Sequence, residues 1–83
     1  MEQEIGKITH FFNKISVAVI KLSGELRVGD TIHIKSNHTD FSQTVSSMQV
    51  EHQSIEVTKP GDDVGMKVDQ PVKVGDVVYK VTE

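Results

Sequence analysis

Apolar and polar side chains alternate with a period of two along most of this chain, the spacing of β-strands with one buried face. Ile5 to Phe12 gives a first strand, and Phe11-Phe12-Asn13-Lys14 leads into a turn. Ile15 to Leu22 gives a second, in which Ile15, Val17 and Val19 alternate with the smaller Ser16 and Ala18 and are expected to point inward. Thr31 to Lys35 alternates cleanly, with Ile32 and Ile34 in and His33 and Lys35 out. Phe41 to Val50 reads as one strand with a bulge, because Val45 and Met48 stand three apart. Ile55 and Val57 are expected to be buried beside the sheet. Val64, Met66 and Val68 alternate with Gly65, Lys67 and Asp69, and Val77 to Val81 closes the series. No 11-residue window carries a helical period.

Three Gly-Asp pairs punctuate these runs: Val28-Gly29-Asp30, Pro60-Gly61-Asp62 and Val74-Gly75-Asp76. Glycine supplies the positive φ of a tight turn. The aspartate can bond its own backbone two residues on. Each pair therefore reads as a strand entrance, and turns this frequent between short β-rich runs predict a small closed β-barrel. The expected core comprises Ile8, Val17, Val19, Ile32, Ile34, Val45, Met48, Val64, Met66 and Val77.

Eighty-three residues allow one domain, 1–83, with its core over about 5–81. Cysteine is absent, which fits a reducing compartment. No apolar run approaches the roughly 20 residues of a membrane helix. The acidic start Met1-Glu2-Gln3-Glu4 is unlike a signal peptide, so a cytoplasmic protein with no membrane partner is expected. Nine Lys and Arg against 12 Asp and Glu give a net charge of −3, so any RNA contact needs a local cluster or a small footprint.

Candidate chemistry is sparse. No glycine-rich loop ending in Gly-Lys-Ser/Thr exists to cradle phosphates, which excludes nucleotide hydrolysis in this chain. No serine stands in a Gly-x-Ser-x-Gly turn. The histidines His10, His33, His38 and His52 form no His-x-x-x-His pair, and read as solvated or surface-packing imidazoles. We expect no catalytic residues, no metal and no cofactor. Lys67 reads as an exposed strand lysine. Adjacent Phe11 and Phe12 must point to opposite faces, one to the core and the other either exposed or covered by a neighbouring loop, the covered reading being the preferred one. If the first hairpin and the 36–43 loop share a rim, His10, Phe12, Lys14, His38 and Gln43 offer a ring, a cation, imidazoles and an amide. That set suits a short single-stranded RNA end or a partner protein; the alternative, and the preferred reading, is two unconnected solvated loops.

The string from Leu22-Ser23-Gly24-Glu25-Leu26-Arg27 through Val28-Gly29-Asp30-Thr31-Ile32 resembles the second domain of translational GTPases such as elongation factor Tu. Val45-Ser46-Ser47-Met48-Gln49, Pro60-Gly61-Asp62-Asp63-Val64-Gly65 and Val74-Gly75-Asp76-Val77-Val78 follow in the family's order. Gly6 to Lys14 and Thr39-Asp40-Phe41 look closer to a stand-alone, translation elongation factor-like version. A similar barrel ends members of the collagenase-like peptidase family, some of which serve tRNA modification. The resemblance implies a single six- or seven-stranded antiparallel β-barrel of the translation-protein type. It implies a non-catalytic binding module acting in translation or tRNA metabolism, with tRNA or ribosomal RNA as partner. The alternative is a protein-interaction module for a separate enzyme, such as a collagenase-like peptidase or a tRNA-modifying protein. The GTPase domain and third domain have no counterpart here.

Overall fold

The β-branched runs do form strands, eight of them: β1 (Glu2–Phe12), β2 (Val17–Leu22), β3 (Thr31–Lys35), β4 (Asp40–Thr44), β5 (Met48–Val50), β6 (Gln53–Ile55), β7 (Asp63–Lys67) and β8 (Val77–Val81). They come from a computed structural model that describes residues 2–37, 39–51 and 53–82. All pairings between strands are antiparallel, and the sheet runs β4-β3-β8-β1-β2-β7-β5-β6. No helix among the described residues is long and apolar enough to cross a membrane.

β1 is the spine of this sheet, and two irregularities let it serve two neighbours. Its register with β8 shifts between Glu4 and Gly6, so Ile5 and Gly6 are both buried. Its register with β2 shifts again between Ile8 and His10. Bulges of this kind bend a strand and increase its twist. Gly6 sits where a Cβ would lie 2.6 Å from the Lys21 carbonyl oxygen and 2.9 Å from Ile20 Cγ2. Only glycine lets β1 approach β2 that closely.

The three Gly-Asp sequences build the same device three times. In Arg27–Asp30, Lys59–Asp62 and Lys73–Asp76 the aspartate N–H donates 3.1 Å to the carbonyl of the residue three before it, with glycine φ of 97°, 93° and 97°. This is a type II turn with glycine at the third position. The aspartate carboxylate bonds backward and not forward: Oδ2 accepts the N–H of Arg27, Lys59 or Lys73, each at 2.9 Å. Each turn then grips a buried residue of a neighbouring segment. The glycine N–H donates to the carbonyl of Val45, Leu22 or Ile8, and the aspartate carbonyl accepts the N–H of that same residue. Every turn is thus tied to the sheet by two backbone bonds.

The expected six- or seven-stranded closed barrel is corrected to eight strands in a curled sheet whose ladder does not close. The predicted strand over 41–50 splits, because exposed Ser46 and Ser47 interrupt it between β4 and β5. A short additional strand, β6, then pairs with β5. Curling brings β4, at one end of the order, to the end of β7. There the Gln43 side chain replaces a ladder: its Nε2 donates to the Lys67 carbonyl at 2.9 Å, and its Oε1 accepts from the Asp69 N–H at 2.8 Å. A second clasp is Thr58, fully buried, whose hydroxyl accepts from the Leu26 N–H at 3.0 Å. That clasp leaves Val57 pointing out, 47% exposed, against the expectation of burial.

The core lies inside the curl. Ile8, Ile32, Ile34, Val45, Met48, Val64 and Met66 are buried as expected. Val17, Val19 and Val77 are not: β2 buries Ala18, Ile20 and Leu22, and β8 buries Val78.

Candidate functional site

The β1–β2 hairpin presents one exposed aromatic, against the preferred reading that both rings are covered. Phe11 is half-buried and packs against the core, while Phe12 is 51% exposed. His10, two residues away, shares the face of Phe12, and the rings stack with centroids 6.3 Å apart and planes 23° apart. Lys14 is exposed at the hairpin tip. The chain then re-enters β2 through Ser16, held at a φ of 55°, a left-handed conformation that strains a residue bearing a Cβ by roughly 1–3 kcal/mol.

Behind this tip runs an open groove of about 270 Å³, lined by Phe12, Ile15, Val17, Val19, Gln49, Glu51, Asp63 and Gly65. Cross-strand register explains it. Val19 stands opposite Gly65, and Gln49 stands on the other side of Gly65. The missing side chain at Gly65 is the floor of the groove. Its lining supplies apolar surface, one amide and two carboxylates, which suits gripping a partner. Among the described residues, no group of three or more His, Asp or Glu side chains converges on a point that would hold a metal ion.

Gln43, another proposed rim residue, lies on β4. It is 7% exposed, and its amide bridges the Lys67 carbonyl and the Asp69 N–H. His38 lies outside the described residues. The hairpin and β4 both touch the 67–69 segment, since Val68 N–H donates to the Ser16 carbonyl at 2.8 Å while Gln43 brackets it.

Ser36 and Thr39 are both tied to Asp76, a carboxylate only 3% exposed. Burial alone would raise its pKa. The Lys73 N–H and the Thr39 and Ser36 hydroxyls outweigh burial and hold it below the usual carboxylate value.

Of the solvated and surface-packing alternatives expected for the histidines, His33 takes the surface-packing one. Its Nδ1 lies 2.5 Å from Glu2 Oε2, and its Nε2 bonds Asp40 Oδ1. The carboxylates sit on opposite ring nitrogens, so the trio is a clamp between β1, β3 and β4. Hydrogen bonds to Asp40 first and Glu2 second raise the His33 pKa above its ordinary 6.5, and the His33 bond lowers that of Asp40. A raised imidazole pKa stabilises the fold fully below the unfolded value, and that contribution is lost as pH rises through the folded value. The lowered Asp40 value acts oppositely, losing its contribution only in acid. Proton NMR titration of the His33 ring is expected to give a midpoint above 6.5. A midpoint at or below 6.5 would show that the clamp does not form in solution.

The groove was not legible because Ile15, Val17 and Val19 read as inward. Lys21 carried the missed signal: in a six-residue strand ending Ile20-Lys21-Leu22, a charged Lys21 faces out and takes Val19 and Val17 with it.

No family model matches this chain. Over 81 residues, 96% of its length, it is 42% identical to an uncharacterized protease of Methanocaldococcus jannaschii. The match spans 20% of that protein, so the chain covers about a fifth of the curated relative. In fold it is similar to the C-terminal domain of a putative U32 peptidase from Geobacillus thermoleovorans. The selenomethionine variant of that domain superposes with a TM-score of 0.90 at 17% identity, covering 94% of this chain and 99% of the other. A second crystal structure of the domain gives 0.89 at 17% identity, over 94% and 91% of the two chains. These likenesses support the collagenase-like peptidase side of the sequence resemblance and add nothing to the elongation-factor side.

Proposed function

We propose that this chain is a non-catalytic accessory domain that docks on a larger body of peptidase type, which supplies the chemistry. One observation carries the reading: nearly the whole chain aligns at 42% identity with only a fifth of a protein named as a protease. What corresponds to this chain is therefore a minor part of that relative, and most of the relative lies outside the match. The groove behind the first hairpin adds surface suited to contact and no evident nucleophile in its lining. A cysteine-free composition supports a reducing, cytoplasmic setting.

The RNA reading is weaker. Its rim keeps His10, Phe12 and Lys14, but Gln43 is withdrawn into the fold. With Lys14 as the single cation of that set, phosphate contacts would be few. Affinity capture with the tagged chain tests the choice. A peptidase-type chain, identified by mass spectrometry, is expected to be retained equally with and without ribonuclease. Retention of tRNA or ribosomal RNA that depends on Phe12 and Lys14, with no peptidase-type chain, would overturn the accessory reading.

A further inference from the structure

The outward face of β2 and β7 carries apolar surface that the core does not use. Residues opposite each other across a ladder share a face. Val17 faces outward beside Lys67, Val19 beside Gly65, and Lys21 beside Asp63. Phe12 at 51% exposure and Ile15 at 61% complete the apolar part at the hairpin tip. Large exposed apolar side chains gathered in one concavity mark a contact surface more strongly than the same residues scattered.

Charge and shape narrow the partner. The groove lining holds the carboxylates Glu51 and Asp63 and no Lys or Arg, while Lys67 and Lys21 share the face outside the lining. A volume of about 270 Å³, open to solvent, falls below the usual size of a small-molecule site and fits one or two side chains. The two non-glycine residues with positive φ among those described, Ser16 and Glu51, both adjoin the groove. Ser16 separates Ile15 from Val17, and Glu51 is part of the wall. Strained backbone is therefore held at both turns that shape this surface.

We propose that the groove receives an apolar side chain flanked by lysine or arginine, from a segment of the peptidase-type body, a proposal that rests on the accessory role above. The apolar anchor fills the space over Gly65 between Val17 and Val19, and the flanking cations meet Glu51 and Asp63. An anchor buried at the centre with charges at the rim is the usual division of labour in a protein interface.

Amide NMR titration of the full chain tests this with a blocked pentapeptide, Lys-Lys-Leu-Lys-Lys, as probe. Shifts are expected at Ile15, Val17, Gln49, Glu51 and Gly65, and affinity is expected to fall with added salt. Glu-Glu-Leu-Glu-Glu and Lys-Lys-Gly-Lys-Lys are expected to bind at least tenfold more weakly. Gly65→Leu should fill the groove, because a Cβ there meets Val17 Cγ1 at 3.6 Å and the Gln49 carbonyl at 3.9 Å, ordinary contact distances. It is expected to weaken the probe at least fivefold while leaving the amide shifts of Ile34 and Val78 in place. Should that variant not fold, the pair Glu51→Gln and Asp63→Asn serves, with a similar loss expected at low salt. No binding of the basic probe, equal binding of the acidic one, or wild-type affinity in these variants would overturn the proposal. So would groove shifts produced by a uridine pentanucleotide and not by the peptide, which would point to RNA. Because the probe is a peptide alone, its failure leaves ribonuclease-resistant capture of a peptidase-type chain standing. Failure of that capture removes the stated source of the segment, whatever the peptide does.

Discussion

Asp76→Ala is expected to destabilise the fold by about 3 kcal/mol, whereas Asp62→Ala, in the same kind of turn, is expected to lose about 1 kcal/mol or less. Both carboxylates accept the N–H of the basic residue that opens their turn, at 2.9 Å. Asp76 alone of the two is buried, at 3% exposure, and it also accepts from the Thr39 and Ser36 hydroxyls of the β3–β4 loop. Its removal leaves those donors facing a cavity, and an unsatisfied buried donor loses about 1–3 kcal/mol. Asp62 is half-exposed, so water can take its place on Lys59 N–H. With a urea slope of about 1 kcal/mol/M for a small domain, the difference should separate the two midpoints by roughly 2 M. The pH dependence follows from the sign of the shift. A pKa held below the usual 3.8 stabilises the fold above that value, and the contribution is lost as pH falls through the lowered value. Wild type and Asp76→Ala should therefore converge in acid. Equal midpoints for the two alanine variants near neutral pH would mean that the loop bonds of Asp76 are not made.

The turns show what short-range chemistry can reveal. Gly29, Gly61 and Gly75 take positive φ, as their pairing with aspartate implied, because turn geometry is settled within four residues. The direction of the aspartate bond was not so evident, since Asx geometry permits bonds both forward and back. Strand phase is a longer-range matter. In β3 the charged and apolar residues agree, and Ile32 and Ile34 are inside. In β2 every residue from Val17 to Ile20 is apolar, so size was a poor guide and small Ala18 took the inner place. In β8 even a lysine misleads, because Lys80 lies on the phase of buried Val78 and reaches the sheet end to pair with Asp30 at 3.4 Å. Gln43 was illegible for a different reason. Its role depends on the sheet curling until β4 meets the end of β7, which no local pattern encodes. The site inherits these limits: adjacency put Phe11 and Phe12 on opposite faces but left open whether a loop covers the outer ring, and the groove waited on the phase of β2.

That phase makes the second large prediction. Ile20→Ala should destabilise the domain by about 2–5 kcal/mol, while Val19→Ala should lose less than about 1 kcal/mol. Ile20 is fully buried against the core, and removing its outer carbons leaves a cavity that a curled sheet cannot collapse. Val19 is half-exposed above Gly65, so its truncation only widens a groove already open to solvent. Small domains hold about 5–15 kcal/mol in total, so Ile20→Ala stands near the limit of folding. Ile20→Val then provides the graded case, with an expected loss of about 0.5–1.5 kcal/mol. Urea melts of the three variants give the ranking directly. A larger loss at Val19 than at Ile20 would reverse the phase of β2 and close the groove with it. The expected order instead leaves Val19 exposed without a demand from the core, and makes its substitution a probe of partner contact in a domain that still folds.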